Sequence, residues 1–185
     1  MEHYYQNILP DWFTFSDLYA KMVNDFPDGS HFVEIGSWMG RSAVFMAVEI
    51  INSNKKIKFD CIDSWEFIDE IYTSDNNIAK LKLTAFDEFL KNINPVSDII
   101  NYHKCKSIDA SKLYKDQSLD FVYIDASHEY ENVKNDLIYW YPKVTFGGVI
   151  AGHDYPYPGV KKAVNEFFEN REINTQEISW IHYKN

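Results

Sequence analysis

Residues 31–41 read HFVEIGSWMGR, the pattern of a buried strand that runs through a glycine-rich turn into a helix. Apolar residues surround one acid, Glu34, and Gly36 and Gly40 bracket the turn. The apolar spacing that follows Gly40 is helical. A turn between a strand and a helix places free backbone N–H groups and the positive end of the helix dipole beside an open crevice. The stretch therefore predicts a site where a polar or anionic group binds.

Strand and helix patterns alternate along the rest of the chain. After the strand that opens at His31, further strands are predicted at 58–63, 99–103, 119–125 and 149–152. Helices are predicted at 15–26, about 40–52, 78–93, 107–113, 130–141 and 158–170, with a loop at 66–78. Gly147 and Gly148 are predicted to turn the chain into the fifth strand, and residues 172–183 to form one or two antiparallel edge strands.

This alternation predicts a fold of the α/β class. Strands joined by helical crossovers pair in parallel, and the helices then cover both faces of the sheet. We therefore expect one Rossmann-like domain over residues 1–185, with a doubly wound, mostly parallel sheet and an antiparallel C-terminal edge strand, in three α/β/α layers.

Composition disfavours several kinds of partner. The net charge of −10 argues against nucleic acid and anionic membrane surfaces, because both attract basic proteins. The sequence shows neither an apolar run long enough to span a membrane nor the pattern of a signal peptide, which predicts a cytoplasmic protein. The two cysteines, Cys61 and Cys105, are then expected to be free thiols.

Four acids fall at or near the C-terminal ends of different predicted strands: Glu34, Asp63, Asp125 and Asp154. In open parallel sheets those ends face one crevice, where ligands bind. The sequence therefore predicts four carboxylates around one ligand site. Desolvated acids at one crevice also argue against a protein that has lost its activity.

The first turn differs from a dinucleotide-binding turn. That turn needs the pattern G-x-G-x-x-G, which lets the backbone approach a pyrophosphate. Here Trp38 occupies the middle position and would block the approach, and Glu34 would repel a phosphate. The turn suits instead a ligand that carries an ammonium or sulfonium group. Asp63 is placed to accept hydrogen bonds from two ribose hydroxyls.

Three segments carry a resemblance to a known family: FVEIGSWMGRS, DCIDSWE and DFVYIDASHEYENVKNDLIYWYPKVTFGGVIAGHDY. They resemble class I S-adenosylmethionine (SAM)-dependent methyltransferases, and in particular a small branch related to macrocin-type and mycinamicin-type sugar O-methyltransferases. The chain is also similar to catechol O-methyltransferase. The resemblance extends over nearly all of the chain from about Phe15. The third segment is the most specific, because D-x-S-H and G-G-V-I-x-G-H-D recur together in that branch.

The resemblance implies a role for each matching residue. The methionine part of SAM would be held by Glu34, Gly36, Ser37 and Gly40. The ribose would bind Asp63, with Trp65 over the adenine or ribose face. The adenine edge would contact Ser107 and Ile108, and Asp125 would close the site at the fourth strand.

The predicted catalytic residues are Asp125 and His128. A neutral His128 imidazole above the methyl group could accept the proton of a substrate hydroxyl, although it could instead cap the helix at Tyr130. A divalent cation such as Mg²⁺ or Mn²⁺ would be held by Asp125, His153 and Asp154. Metal-dependent relatives carry acids at both of the last two positions. The imidazole of His153 favours softer ions than Mg²⁺, or no metal.

The sequence thus predicts a SAM-dependent methyltransferase that methylates a hydroxyl of a small molecule: a sugar, a sugar-linked natural product or a phenol. Trp12, Tyr155 and Tyr157 are expected to wall the acceptor pocket. Two alternatives stay open at this point, a metal-dependent hydroxylase-like relative on the same fold and a catalytically silent SAM-binding module. The N-terminal aromatic residues and the edge strand after Glu177 predict a homodimer.

Overall fold

A computed structural model of the protein describes residues 1–66 and 76–185. Most of the predicted loop at 66–78 therefore lies outside the described residues. In chain order the elements are α1 (Ser16–Asp25), β1 (His31–Ile35), α2 (Arg41–Ser53), β2 (Lys58–Asp63), α3 (Asn76–Ile93), β3 (Ile100–Lys104), α4 (Ser107–Ser111), β4 (Leu119–Ile124), α5 (Tyr130–Trp140), β5 (Val144–Gly152), α6 (Pro158–Phe167), β6 (Asn174–Gln176) and β7 (Ser179–Tyr183).

Within the described residues, seven strands form one sheet in the order β3-β2-β1-β4-β5-β7-β6. β1 to β5 are parallel, and β7 runs antiparallel to both of its neighbours. The predicted α/β fold is confirmed, with the reversed strand second from the edge and the short β6 outside it. In the register, Ile35 pairs with Ile62 on one side and with Ile124 on the other, so β1, β2 and β4 end at the same level.

The core has two parts because β1 is buried on both faces. Phe32 packs with apolar residues of α1, α2 and α3 on one face of the sheet. Val33 and Ile35 pack with residues of α4, α5 and α6 on the other. Alternate residues of a strand point to opposite faces, so one short apolar run supports both layers of helices. This is the predicted three-layer arrangement.

The predicted turn at Gly147 and Gly148 is wrong. Both glycines lie inside β5, which begins at Val144. The Gly147 N–H donates to the carbonyl of Lys184, and the Lys184 N–H donates to the carbonyl of Gly148. Gly147 has a φ of +81°, and the register between β4 and β5 shifts here. The glycines therefore accommodate an irregular strand that pairs with the chain's end.

Smaller boundaries also differ from the predictions. α3 begins at Asn76, two residues early, and α6 ends at Phe167, three residues early. Cys61 and Cys105 are both free, as expected. Among the described helices, none has the length and apolar character needed to cross a membrane.

Candidate active site

A cavity of about 680 Å³ lies at the C-terminal ends of β1, β2, β4 and β5. Its volume is in the range of small-molecule sites. Most of the predicted site residues line it: Gly36, Asp63, Trp65, Ser107, Ile108, Asp125, His128, His153 and Asp154. Glu34, Ser37 and Gly40 do not line it. The strand ends therefore meet at one crevice, and three of the four predicted carboxylates, Asp63, Asp125 and Asp154, line it.

Gly36 is required because the chain after β4 crosses directly over it. The Gly36 φ is +94°, and an added Cβ would lie 1.9 Å from the carbonyl oxygen of Asp125. The Gly36 N–H donates to the carbonyl of Ile62, and the Asp125 N–H donates to the carbonyl of Ile35. These bonds continue the sheet past the ends of β1 and β4 and hold the two loops together at the cavity wall.

Asp63 holds two strained tryptophans. Its Oδ2 accepts the backbone N–H of Trp38 at 2.8 Å, and its Oδ1 accepts that of Trp65 at 2.7 Å. Trp38 and Trp65 have φ values of 45° and 53°, which are rare for bulky side chains. The Trp65 indole N–H also donates to the Trp38 carbonyl. Burial raises the pKa of Asp63, against the effect of these bonds. The backbone N–H of Ser64 also acts to lower the pKa, and the carboxylate, with about four lone-pair sites, keeps acceptor capacity for a ribose hydroxyl.

Glu34 lies behind the turn rather than in the cavity. It is 1% exposed, and its Oε2 accepts the hydroxyl hydrogen of Tyr19 at 2.7 Å. Burial raises its pKa to about 7. Strand alternation turns this side chain toward the α1 layer, away from the cavity. Glu34 therefore cannot contact the methionine part of SAM from this position, contrary to the prediction. The binding roles of Ser37 and Gly40 stay predictions.

Three acceptor-side residues converge where β4 and β5 end. Ligand atoms of Asp125, His128 and Asp154 lie within 4.8 Å of one another. His128 Nε2 is 2.7 Å from Asp154 Oδ2. The convergent set thus contains His128 in place of the predicted His153. His153 Nδ1 lies 3.2 Å from Asp154 and 3.6 Å from Asp125, while its Nε2 is hydrogen-bonded to Thr14 at 2.9 Å.

The two carboxyls of this cluster differ in acidity. Burial raises the pKa of Asp125 to about 6, although the charge of His153 acts in the opposite direction. Burial acts in the same direction on Asp154, but hydrogen bonds from His128 and His153 hold its pKa well below the usual range. Burial opposes a charge on His153, yet its bond to Asp154 and the charge of Asp125 raise its pKa overall. Asp154 also has a φ of 54°, a strained value.

The N-terminal segment completes the acceptor side. Trp12, 46% exposed, and Thr14 line the cavity. Arg41, at the start of α2, holds this segment through the carbonyl of Ile8 and the carboxylate of Asp11, each at 2.5 Å. Tyr157 also lines the cavity, as predicted, with its ring 5.0 Å from that of His128. The prediction for Tyr155 is wrong, because its hydroxyl points to Asn165 instead.

Sequence reasoning missed Asp136 and Thr14. Asp136 lines the cavity, is 5% exposed and accepts the Ser107 hydroxyl hydrogen at 2.5 Å. Its position in α5, between the buried Val133 and Leu137, is the signal that was available: an acid within the apolar face of a helix. Thr14 had no such signal, because an irregular segment has no periodicity to place its side chains.

Comparisons with known proteins identify the family and the fold of this chain. A family model, Methyltransf_24, described as a methyltransferase domain, matches residues 33–155. No curated protein matches the chain. Among solved structures, the O-methyltransferase NovP has a TM-score of 0.69 and 18% identity, covering 91% of this chain and 78% of that one.

Two further structures share the fold. The SAM-dependent O-methyltransferase TM0748 from Thermotoga maritima has a TM-score of 0.64 and 12% identity, covering 97% of this chain and 69% of that one. CalS11, a TDP-rhamnose 3′-O-methyltransferase of calicheamicin biosynthesis, has a TM-score of 0.58 and 15% identity, covering 91% and 76%. At these identities the structures show the fold alone. The family match covers most of the chain, from the middle of β1 past the end of β5, and the chain therefore belongs to the methyltransferase-domain family as a class I SAM-dependent methyltransferase.

Proposed function

We propose that this protein transfers the methyl group of SAM to a hydroxyl oxygen of a small molecule. The observation that carries the proposal is the pair of His128 and Asp154, 2.7 Å apart, beside Asp125 at the wall of the cavity. A histidine oriented by a carboxylate is the arrangement that proton removal from a hydroxyl requires. Trp12 and Tyr157 give the acceptor half an aromatic rim suited to a sugar or a phenol ring.

The cofactor half of the cavity fits SAM. The turn at Gly36 lets the chain pass close to the loop after β4, and Asp63 has acceptor capacity for a ribose. Ser107 and Ile108 also line the cavity, and the adenine would bind beside them. When bound, SAM supplies an electrophilic methyl group on its sulfonium. Positioning that methyl group against the acceptor oxygen would provide most of the rate acceleration.

In this proposal His128 accepts the proton of the acceptor hydroxyl. Asp154 accepts a hydrogen bond from Nε2 and thereby orients the imidazole. Asp154 also stabilises the imidazolium that forms, because its low pKa keeps it ionised. Asp125, buried beside them, faces the same space and would orient the acceptor hydroxyl.

The same residues also fit a divalent cation. Two carboxylates and one imidazole offer oxygen and nitrogen ligands that Mg²⁺ or Mn²⁺ can accept. Asp125, His128 and Asp154 would hold it, and its chemistry would be to bind the acceptor oxygen and lower the pKa of the hydroxyl. Both uses depend on His128, so the experiments must separate them.

The first experiment measures cofactor binding by calorimetric titration of the native protein with S-adenosylhomocysteine. We expect one site per chain. Absence of heat at protein concentrations of about 50 μM, with circular dichroism showing a folded protein, would overturn the proposal.

The second experiment measures formation of S-adenosylhomocysteine from SAM with panels of sugars, glycosides and phenols, with Mn²⁺ and with EDTA. We expect turnover with at least one hydroxyl acceptor. His128→Ala should reduce it at least about 100-fold, the usual contribution of a general base. His103→Ala is the matched control, because His103 lies on β3 and does not line the cavity.

The cation is tested separately by calorimetric titration with Mn²⁺. If His128 is a ligand, His128→Ala weakens Mn²⁺ binding and EDTA abolishes turnover. If His128 is only the base, turnover survives EDTA. Bound redox-active iron without methyl transfer would favour the hydroxylase-like alternative, and cofactor binding without turnover on any panel would favour the silent module.

A further inference from the structure

His153 is a buried ring whose two nitrogens face different parts of the chain. It follows the end of β5 and is 6% exposed. Its Nε2 lies 2.9 Å from the Thr14 hydroxyl, and its Nδ1 lies 3.2 Å from Asp154 Oδ2 and 3.6 Å from Asp125 Oδ1. The ring of Phe15 packs against it, with the two centroids 5.0 Å apart. Two residues of the N-terminal segment therefore contact this ring, one by a hydrogen bond and one by packing.

The two nitrogens of the ring have distinct roles. Burial opposes the charge on Asp154, but hydrogen bonds from His128 and His153 hold its pKa well below the usual range. This carboxylate is therefore ionised near neutral pH and only accepts hydrogen bonds, so the Nδ1 that faces it carries a hydrogen. Nε2 accepts the Thr14 hydroxyl hydrogen when the ring is neutral and donates to the hydroxyl oxygen when the ring is charged. Because a hydroxyl can do both, Thr14 holds the ring in either protonation state.

The orientation of this ring matters for the proposed base. Asp154 Oδ2 lies 3.2 Å from His153 Nδ1 and 2.7 Å from His128 Nε2, so one carboxylate oxygen contacts both imidazoles. A half-turn of the His153 ring about χ2 would replace Nδ1 by a carbon and remove a donor from that oxygen. The hydrogen bond to Thr14 opposes this half-turn, because the same movement would replace Nε2 by a carbon. A line of contacts thus connects Thr14 to the base.

The Thr14 hydroxyl is itself held in place along the chain. Phe15, the next residue, is 4% exposed and belongs to the core. On the other side, Arg41 binds the carbonyl of Ile8 and the carboxylate of Asp11. An anchor on each side limits how far the hydroxyl can move, which a residue that orients another side chain requires.

We propose that Thr14 is a positioning residue for the proposed methyl transfer, because it fixes the ring that supports Asp154. Asp154 in turn orients His128, so the N-terminal segment sets the geometry of the base without touching the reacting atoms. The inference rests on the function proposed above. It predicts that loss of the Thr14 hydroxyl lowers kcat and leaves the KM of the acceptor and the affinity for the cofactor unchanged.

The test compares Thr14→Val, which keeps the shape and removes the hydroxyl, with Thr14→Ser, which keeps the hydroxyl. Both constants are measured with an acceptor found on the panel described above. The valine variant should lose about 10-fold in kcat, the worth of one hydrogen bond, with the acceptor KM and the affinity for S-adenosylhomocysteine within about twofold of native. The serine variant should stay within about threefold of the native kcat. Thr175→Val, at an exposed position of β6, is the matched control and should keep native kinetics.

The competing explanation is a direct contact between Thr14, which lines the cavity, and the acceptor. A valine variant whose acceptor KM rises while kcat is unchanged would overturn the inference in favour of that contact. Action through the ring is tested in a His153→Asn background, where the shorter side chain does not reach the hydroxyl. Thr14→Val should cause no further loss of kcat there, and an undiminished loss would overturn the inference.

A spectroscopic measurement tests the ring without any acceptor. Nitrogen-15 NMR of histidine-labelled protein reports which ring nitrogen carries hydrogen, and His153→Asn identifies the signals of His153 by their loss. The native Nδ1 should carry hydrogen, and Thr14→Val should change the signals. A native Nδ1 without hydrogen, or identical signals in the valine variant, would overturn the inference. If no acceptor on the panel is methylated, the proposed function itself is wrong, which is a distinguishable result.

Discussion

Replacing Glu34 with glutamine should change how the stability of the protein depends on pH. Glu34 is fully enclosed, and burial raises its pKa to about 7 from a model-peptide value of 4.5. In the unfolded chain the carboxyl loses its proton near pH 4.5, whereas the folded protein retains it until about pH 7. The unfolded state is therefore favoured progressively as the pH rises through this window, and the native protein loses stability there.

The size of the effect follows from the two pKa values. Between pH 5 and pH 8 the loss attributable to Glu34 is roughly 2 to 3 kcal/mol. Glutamine has no proton to lose and still offers an oxygen to the Tyr19 hydroxyl. All other titrating groups are common to both proteins and cancel in the difference. The glutamine variant should therefore gain roughly 2 to 3 kcal/mol on the native protein between these pH values.

The assay is urea unfolding at pH 5, 6, 7 and 8, followed by circular dichroism. The exposed Glu169 gives the control, because Glu169→Gln makes the same chemical change at a position that solvent reaches in the folded protein. A change of less than about 1 kcal/mol across the range for Glu34→Gln would refute the reasoning. It would mean that water or a rearranged hydroxyl solvates Glu34 in the folded protein.

Three further changes test other parts of the structure. Gly36→Ala should destabilise the protein by roughly 3 kcal/mol or more in urea unfolding, because the added methyl would meet a backbone carbonyl at 1.9 Å in a left-handed conformation. Native-like stability would contradict the crossing described at this turn. Arg41→Met removes the tie to Asp11 and should speed chymotrypsin cleavage within residues 4–13 several-fold, with an unchanged rate as the contrary result. Tyr114→Phe removes a 2.7 Å hydrogen bond to the buried Asp60 and should cost about 1.5 to 3 kcal/mol in the same urea assay, and a neutral outcome would show that the carboxylate finds another donor.

The sheet could be predicted from the sequence because its central strands are short apolar runs with acids at their ends. β2 was predicted to the residue, and β4 to within one residue of its end. The strand ends converge in any parallel sheet, so the position of the cavity followed from the order of elements. The turn predicted at Gly147 and Gly148 was wrong because a pair of glycines is typical of turns. Their place inside β5 depends on hydrogen bonds to Lys184, which is distant in sequence.

The details of the site could not be predicted, because they depend on the local direction of the backbone. His153 and Asp154 are neighbours in sequence, but Asp154 has a positive φ and its carboxyl contacts both His128 and His153, while the Nε2 of His153 is hydrogen-bonded to Thr14. Nothing in the residue types indicates that turn. Glu34 is a similar case: its place in the motif suggested the ligand, whereas strand alternation directs it to Tyr19.

The two bonds that Asp63 makes to Trp38 and Trp65 affect how mutagenesis of this protein should be read. Asp63→Ala would remove the carboxylate that accepts both backbone N–H groups and so holds Trp38 and Trp65 in their left-handed backbone conformations. The wall of the cavity would then rearrange. Activity would fall even if the Asp63 carboxylate made no hydrogen bond to the ribose of the cofactor. An alanine scan would thus assign Asp63 to cofactor binding under either hypothesis. A cofactor analogue that lacks a ribose hydroxyl leaves both of these hydrogen bonds in place, and its loss of affinity would therefore report the ligand contact alone.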